Sequence, residues 1–398
     1  MPLGISLVCR QIAPSATLTL DAKVKALRAQ GEKIIGFAAG EPDFDTPAPI
    51  RDAMKEALDK GMTRYTPVSG TLALRDAIIE KLQRDNGLAY TRDEIVVSNG
   101  AKHSIYTVLQ TLLDDGDEVI IPTPCWVSYP EMVRMARGKP VFVEAEESSG
   151  YIPPLERVAA AVTAKTKAFI LTSPSNPSGC VWPHEMLGGL AKLCVEKDFY
   201  VISDEIYEKL VYDGLRHVSI ASFGPNVKER TLLINGVSKA YAMTGFRIGY
   251  TAGPKDVISA MSNYQSQATS AANAPAQHAA AYALMMSQDC VEEMRQAFEQ
   301  RRDLLVSGLN AIEGISCRKP EGAFYVMMNM KGLLGRTLGG TLIQDSAGFA
   351  AALLDQQHVA VVPGDSFMAE GYCRLTYASG AEDIAEGLRR IAAFASQG

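Results

Sequence analysis

Four short stretches of the chain carry side chains that could do chemistry, and each of them follows a run of apolar residues. They are Asn99-Gly100-Ala101-Lys102, Ser173–Pro177 with its Asn176, Asp204–Tyr207 and Gly236–Lys239. If the apolar runs are strands of an open α/β sheet, ligands bind in the crevice beyond the carboxyl ends of those strands. We therefore expect the four stretches to converge on one ligand site.

The stretch that ends at Lys239 offers a nucleophile and two anion-binding groups. A surface lysine is a solvated charge, but a lysine that is desolvated behind a buried strand, here Thr231–Asn235, has an amine that can attack a carbonyl. Ser238 and Arg247, the latter eight positions beyond the lysine, can bind a phosphate through charge-assisted hydrogen bonds. Taken singly, Arg247 also fits a surface ion pair and Ser238 a helix cap.

Asp204 and the turn at Gly100-Ala101 supply complementary groups. An aspartate that ends a buried strand needs a partner because an isolated buried carboxylate is costly; alone, Asp204 also fits a helix N-cap. Beside Lys239, it can hold the protonated ring nitrogen of pyridoxal phosphate (PLP), which then draws electrons from an amino acid. Gly100 and Ala101 open a helix whose N–H groups can bind the phosphate, although alone they indicate only a tight turn.

The elements that must position these groups are strands that alternate with helices. Six apolar runs lack polar alternation, which is typical of strands covered on both faces. Helical patterns such as His103–Leu113 lie between them. The alternation predicts an α/β fold with a mostly parallel sheet covered by helices. The six predicted strands are Glu94–Ser98, Glu118–Pro122, Lys167–Thr172, Phe199–Ser203, Thr231–Asn235 and Ile248–Ala252.

The pattern changes after about residue 288. A long amphipathic helix is predicted over Val291–Ile312, and three shorter apolar runs follow it, separated by helical or loop segments. An early helix over Leu18–Gln30 can pack with this carboxyl-terminal part. We therefore predict a large domain over residues 48–290 and a smaller α+β domain formed by residues 1–47 and 291–398.

The composition argues against several other classes of protein. The formal net charge is -6 over 398 residues without a basic stripe, which argues against a nucleic-acid surface. No apolar run approaches the ~20 residues of a membrane helix, and the amino terminus lacks a signal-peptide pattern. Seven scattered cysteines indicate free thiols, so we expect a cytoplasmic protein. The five histidines are scattered too, so no metal site is expected.

Longer motifs point to a family. The segments SPSNPSG, SDEIYE and SKAYAMTGFRIGY resemble the fold-type I PLP enzymes, specifically the class I aminotransferases. AAGEPDFDTP, VSNGAKHSIY, PEGAFYV and CRLTYA also match in the family's order, so the resemblance covers nearly the whole chain. Within the family, the chain is most similar to bacterial-type aspartate aminotransferases that have Gly-x-Lys in the phosphate turn. The resemblance implies a mixed, mostly parallel sheet, a PLP cofactor and a homodimer whose active sites are shared between subunits.

The resemblance assigns cofactor roles residue by residue. Lys239 matches the lysine that joins the cofactor aldehyde and later carries the substrate proton, and Asp204 matches the partner of the ring nitrogen. Tyr207 and Asn176 match donors to the phenolic oxygen, and Trp126 matches the aromatic ring that stacks on the cofactor. The expected catalytic residues are Lys239, Asp204 and Tyr207. The expected groups around the phosphate are Gly100, Ala101, Lys102, Ser238, Arg247 and Tyr65, the last supplied by the second subunit.

The resemblance also implies how an amino acid would bind. Arg374 matches the arginine that holds the α-carboxylate as a planar fork, and Gly40 would add a backbone N–H. Trp126 and Asn176 would lie beside the substrate. The residues expected at the distal carboxylate of a dicarboxylic substrate are Lys102, Ser15 and Thr17.

The implied reaction is a ping-pong transfer of an amino group from aspartate, or a similar amino acid, to 2-oxoglutarate. Other PLP enzymes of the same fold remain open, namely an aromatic or prephenate aminotransferase and a β-lyase. Relatives that accept prephenate carry a lysine where this sequence has Ala16, which makes prephenate the weaker alternative. A regulatory protein that only senses PLP would need an added DNA-binding module, and no basic helix-turn-helix precedes the pattern.

Overall fold

Strands and helices alternate within residues 4–397, the part of the chain that the computed structural model describes. The strands are β1 (Ile35–Gly36), β2 (Ile95–Ser98), β3 (Glu118–Thr123), β4 (Lys139–Glu144), β5 (Thr166–Thr172), β6 (Tyr200–Asp204), β7 (Thr231–Gly236), β8 (Gly249–Ala252), β9 (Ser316–Cys317), β10 (Tyr325–Asn329), β11 (Thr337–Leu338), β12 (Thr341–Leu342), β13 (Val359–Ala360), β14 (Val362–Pro363) and β15 (Tyr372–Thr376). The helices are α1 (Leu7–Gln11), α2 (Ala16–Ala29), α3 (Ala48–Asp59), α4 (Leu72–Asn86), α5 (Ala101–Leu112), α6 (Ser128–Met135), α7 (Leu155–Ala161), α8 (His184–Lys197), α9 (Pro225–Lys228), α10 (Lys255–Ala268), α11 (Ala274–Met285), α12 (Asp289–Asn310), α13 (Ser346–Gln357) and α14 (Ala381–Ala395).

A seven-stranded sheet forms the centre of the fold. Its strand order is β2-β8-β7-β6-β5-β3-β4, and within this sheet β8 alone runs antiparallel to its neighbours. The predicted α/β class and the mixed, mostly parallel sheet are therefore confirmed. All six predicted strands lie in this sheet, with ends that differ from the predicted ones by no more than one residue.

Helices cover both faces of this sheet. Successive side chains of a strand point to opposite faces, so Val119 of β3 packs in the same apolar cluster as Val108 of α5. The next residue, Ile120, packs instead in a cluster with Leu190 of α8. Because both faces of the sheet are covered by apolar side chains, the strands read as continuous apolar runs in the sequence. The sequence alone therefore predicts them.

Strand β4, which pairs only with β3 at one edge of the sheet, was missed because most of its residues are partly or fully exposed. Its sequence KPVFVE mixes polar and apolar residues, and Phe142 keeps 39% of its surface exposed. Strand β2, at the opposite edge, is buried along its whole length. Strand β4 is not covered on both faces, so the criterion of an unbroken apolar run does not apply to it.

The carboxyl-terminal part contains a second, antiparallel sheet in the order β14-β15-β10-β9. The long helix α12 packs against it through the predicted apolar stripe, which includes Phe298 and Leu305. The amino-terminal strand β1 pairs with β13, so residues from both ends of the chain meet here. The domain boundaries at residues 48 and 290 stay a prediction. None of the helices in the described part of the chain is long and apolar enough to cross a membrane.

Candidate active site

A cavity of about 450 Å³ lies at the carboxyl ends of the central strands, where the sequence analysis placed a ligand site. Because β5, β6 and β7 run parallel, the residues that end them lie side by side: Thr172 pairs with Asp204, and Asp204 pairs with Ile234. Thirteen of the residues singled out from the sequence line this cavity. They are Ser15, Thr17, Gly40, Ala101, Lys102, Trp126, Asn176, Asp204, Tyr207, Ser238, Lys239, Arg247 and Arg374.

Asp204 ends β6 with only 4% of its surface exposed. The Tyr129 hydroxyl donates a hydrogen bond to its Oδ2 at 2.7 Å, and the Ile206 backbone N–H donates to its Oδ1 at 3.2 Å. Burial raises the pKa of Asp204 to about 6, while the two hydrogen bonds and the charge of Lys239 act in the opposite direction. The side chain is therefore a buried carboxylate that is ionised near neutral pH and borders the cavity.

Lys239 lies three residues beyond the end of β7, and its ammonium donates a hydrogen bond to the Gly40 carbonyl. Burial lowers its pKa to about 8, and the positive charges of Arg247 and Arg374 act in the same direction. A large share of this amine is therefore neutral at slightly alkaline pH. A neutral, positioned amine can act as a nucleophile or accept a proton.

The start of α5 and the hairpin between β7 and β8 meet at one corner of the cavity. Gly100 precedes the helix with φ of 89°, a conformation that favours glycine, and a Cβ there would lie 2.5 Å from Nη2 of Arg247. At Gly249, a Cβ would lie 2.4 Å from the backbone nitrogen of Ala101. The hairpin therefore packs closely against the helix start, and it brings Ser238 and Arg247 to the N–H groups that bind anions.

Arg374 reaches the cavity from β15 with 1% of its surface exposed. Its Nη1 donates to Oδ1 of Asn176 and its Nη2 to the Ala38 carbonyl, both at 2.9 Å, and its guanidinium lies 4.4 Å from the ring centre of Tyr325. Burial lowers the pKa of Arg374. No described residue pairs with its buried Nε. The pattern fits a guanidinium that is preorganised for a carboxylate.

The groups expected at a distal carboxylate all line the cavity. Nζ of Lys102 lies 4.8 Å from the ring centre of Trp126, and burial, together with the charge of Arg247, lowers the pKa of the lysine. The hydroxyls of Ser15 and Thr17 are 3.1 Å apart. The structure thus brings Lys102, Ser15 and Thr17 to the same cavity, as expected. Their roles stay a prediction.

Two of the expected residues do not line the cavity. Gly100 lies behind it, against Arg247. Tyr65 is 98% exposed and is absent from the cavity wall of this chain. Its expected contribution from a second subunit stays a prediction.

The sequence analysis missed eight polar residues of the cavity wall, and three of them, Tyr129, Thr172 and Tyr325, make hydrogen bonds around the site. Tyr129 follows Trp126 by one helical turn, and Thr172 is the last residue of a predicted strand, so both could have been proposed from their neighbours. The Tyr325 hydroxyl lies 3.1 Å from that of Tyr207, which joins the second sheet to the central one. Only the packing of the two sheets reveals that contact.

A second buried polar cluster lies behind the active-site strands. The ammonium of Lys81 contacts Oε1 of Glu208, and Asn86 donates to Oε2 of Glu208 at 3.0 Å. Glu205 accepts hydrogen bonds from Ser203 and Ser219 at 2.8 and 2.7 Å. Ligand atoms of Glu205, Glu208 and His217 lie within 4.8 Å of one another, but Lys81 already neutralises Glu208. We name Lys81, Asn86, Glu205, Glu208 and His217 together the Lys81–Glu208 cluster.

Comparisons with known proteins agree with this geometry. The sequence model of the family described as aminotransferase class I and II matches residues 32–391. The aspartate aminotransferase of Geobacillus stearothermophilus is 48% identical over 96% of both chains, and the aspartate/prephenate aminotransferase of Thermus thermophilus is 45% identical over 98% of both. The crystal structure of the aspartate aminotransferase from Rhizobium meliloti superposes with a TM-score of 0.96, at 44% identity and 99% coverage of both chains.

The fold and the cavity therefore define a class of enzyme that moves amino groups. The chain belongs to the class I and II aminotransferase family, and it is an aminotransferase of the fold-type I architecture that the sequence motifs indicated.

Proposed function

We propose that this aminotransferase uses PLP to take the amino group from aspartate, or from a similar amino acid, and to pass it to 2-oxoglutarate in two half-reactions. The observation that carries the proposal is the convergence of Asp204, Lys239 and Arg374 on one cavity. These three side chains come from different strands or strand ends, and together they offer a carboxylate, a reactive amine and a planar cation.

The residues present fit PLP. Asp204, a buried carboxylate without a lysine or arginine in hydrogen-bond contact among its described neighbours, matches a protonated ring nitrogen. Ser238, Arg247 and the first N–H groups of α5 would hold the phosphate, and Tyr207 and Asn176 would meet the phenolic oxygen. When bound, PLP supplies an electron sink that stabilises negative charge on the substrate Cα.

The remaining work falls to side chains of the chain itself. Lys239, with a pKa of about 8, would join the cofactor aldehyde and then move the proton at the substrate Cα. Arg374 would hold the α-carboxylate and so orient the Cα–H bond. Trp126 would cover the reacting atoms and exclude water, and Tyr207 would donate to the phenolic oxygen.

A dicarboxylic substrate is supported by the positive charge of Lys102 in the cavity wall. Lys102 stands in the first turn of α5, where the helix dipole disfavours a cation, so its position calls for an anionic partner. Ser15 and Thr17 line the same cavity. A Thermus thermophilus aspartate aminotransferase that was solved with maleate, a dicarboxylate, is 45% identical to this chain with a TM-score of 0.93. Relatives named aspartate/prephenate aminotransferase keep prephenate as the second candidate.

The proposal includes a homodimer and a cytoplasmic location. Tyr65 is a large aromatic residue that is almost fully exposed. In a homodimer, burial against the second copy would bring Tyr65 to the groups that hold the partner's phosphate. A particle of twice the chain mass in light scattering supports this part, and a monomer that retains full activity contradicts it. All seven cysteines are free, which fits a reducing compartment.

The test is a panel of amino acids whose half-reactions are followed by the change in cofactor absorbance. We expect Arg374→Ala to raise the KM of every amino acid by about 100-fold, because all of them carry the α-carboxylate. Lys102→Ala should raise the KM of aspartate by about tenfold and leave that of phenylalanine nearly unchanged. The control is Lys192→Ala, which changes an exposed lysine on α8. Equal losses for aspartate and phenylalanine in Lys102→Ala contradict the distal-carboxylate assignment.

A further inference from the structure

We propose that Tyr129 is a positioning residue that keeps the Asp204 carboxylate ionised and oriented toward the ring nitrogen of PLP. The inference rests on the proposed function, because it concerns the same cavity. Tyr129 itself would touch neither the substrate nor the reacting atoms; it would act through Asp204.

The hydrogen bonds of Tyr129 have a defined direction. Tyr129 lies in the first turn of α6 with 2% of its surface exposed, and its hydroxyl is 2.7 Å from Oδ2 of Asp204 and 2.8 Å from Oγ1 of Thr172. A phenol has one proton, and an ionised carboxylate only accepts. The Tyr129 proton therefore goes to Asp204, and the Tyr129 oxygen accepts from Thr172. The three groups form a relay that ends on the carboxylate.

The sheet and helix α6 hold this relay rigidly. Thr172 and Asp204 are paired residues of the neighbouring strands β5 and β6. The Tyr129 ring packs edge-on against Trp126 at 5.2 Å, and its backbone N–H donates to the Trp126 carbonyl at 3.0 Å. One helical turn therefore fixes both the ring that would stack on PLP and the hydroxyl that holds Asp204.

The charge balance at Asp204 makes this hydrogen bond important. Burial raises the pKa of Asp204 and so favours the neutral acid, and the nearby charge of Glu205 acts in the same direction. Among the influences that favour the carboxylate, the hydrogen bond from Tyr129 is the largest, ahead of the Ile206 N–H and the charge of Lys239. Without the hydroxyl, Asp204 would bind a proton more readily, and a neutral acid attracts a protonated ring nitrogen much less.

The experiment compares PLP with the analogue in which a C–H group replaces the ring nitrogen. Dissociation constants of both are measured for the wild-type chain, Tyr129→Phe and Tyr377→Phe. Tyr377 is a matched control, since it is fully buried and its hydroxyl donates to backbone carbonyls away from the cavity. We expect Tyr129→Phe to weaken PLP binding about tenfold, as for the loss of one hydrogen bond to a charged group, and to change binding of the analogue less than about twofold.

A readout without cofactor separates positioning from general damage. In the cofactor-free protein, the Asp204 carboxyl carbon is titrated by NMR, and Tyr129→Phe should raise its pKa by about 1. If Tyr129→Phe does not fold, Thr172→Val decides the matter, because it keeps the ring and removes only the donor to the Tyr129 oxygen. We expect a smaller change in the same direction, about twofold in the dissociation constant of PLP.

Two results would overturn the proposal: unchanged binding of PLP by Tyr129→Phe, or equal losses for PLP and the analogue, which would mean that the hydroxyl supports only the fold. Either result leaves the proposed function intact as long as the wild-type chain transfers amino groups with PLP. A wild-type chain that binds neither compound would instead contradict the proposed function.

Discussion

Two sites in this protein each combine a lysine with a buried carboxylate, and the pKa shifts at the two sites differ. At the Lys81–Glu208 cluster, burial raises the pKa of Glu208, but the charge of Lys81 and of other nearby cations outweighs it, so the pKa is lowered. At the cavity, burial wins: the pKa of Asp204 is raised to about 6 and that of Lys239 is lowered to about 8.

The difference comes from contact rather than from depth. Lys81 contacts Glu208 directly and also donates to Asn86 at 2.8 Å, so its charge is compensated at short range. Lys239 instead donates to the Gly40 carbonyl, and Asp204 accepts from Tyr129 and Ile206. Because the amine and the carboxylate at the cavity do not pair with each other, both remain available to a ligand. Pairing thus marks a structural group, and separation marks a reactive one.

The largest expected effect is the loss of activity in Lys239→Ala. Removing the amine deletes both the nucleophile and the proton carrier, so we expect kcat to fall about 10⁴-fold or more, equivalent to about 5.5 kcal/mol. The free energy of unfolding of the cofactor-free protein should change little, since within residues 4–397 no carboxylate lies within hydrogen-bond distance of Lys239. Single-turnover kinetics and urea unfolding measure the two quantities. A variant with near-wild-type turnover would remove the contrast between the two lysines.

The opposite outcome is expected for Lys81→Met. This change leaves Glu208 buried without its cation, so the free energy of unfolding should fall by about 3–5 kcal/mol. The kcat of the folded fraction should stay within about threefold of the wild-type value, because Lys81 does not line the cavity. Denaturant unfolding and activity per folded molecule test both parts. A loss of activity without a loss of stability would contradict the structural role of the cluster.

The smallest expected effect is a pH-dependent change in the free energy of unfolding when Asp204 is replaced. Asp204 has a pKa of about 6 in the folded chain against 3.8 for the ordinary carboxyl, so the unfolded chain binds fewer protons between these values. The cost of the buried carboxylate is therefore present in full above pH 6 and vanishes as the pH falls toward 4. Asp204→Asn should stabilise the cofactor-free protein by about 3 kcal/mol at pH 7 and by only about 0.5 kcal/mol at pH 4. Urea unfolding across this range tests it, and a difference independent of pH would contradict the assignment.

Local sequence patterns were enough to find six of the seven strands of the central sheet and the residues that follow them at the site. The buried strands read as unbroken apolar runs, and the polar residues that follow them meet because parallel strands end at one edge of the sheet. Lys239 and Arg247 were found together because one hairpin loop carries both. The direction of β8 could not be read from its apolar run, since parallel and antiparallel buried strands have the same composition.

Long-range packing explains what the patterns did not supply. Arg374 lies in a strand with no local sign of function, and only the resemblance to a family singled it out. Tyr129 could have been proposed as a wall residue from its neighbour Trp126, but its contact with Asp204 depends on the orientation of α6, which a sequence does not state. Tyr325 reaches Tyr207 only through the contact between two sheets. The roles of Tyr65 and Lys102 still rest on the resemblance.

The bond from Arg374 to the Ala38 carbonyl joins residues 336 positions apart, whereas Lys239 and Arg247 share one loop. When the ribosome has synthesised the last strand of the seven-stranded sheet, it has therefore already made Lys239 and Arg247. It has not yet made Arg374. The loop that the Arg374 contact closes spans almost the whole chain, so its closure costs more conformational entropy than that of a short loop. The order of synthesis thus produces Lys239 before Arg374, and the residue proposed to hold the α-carboxylate arrives only with the last tenth of the polypeptide.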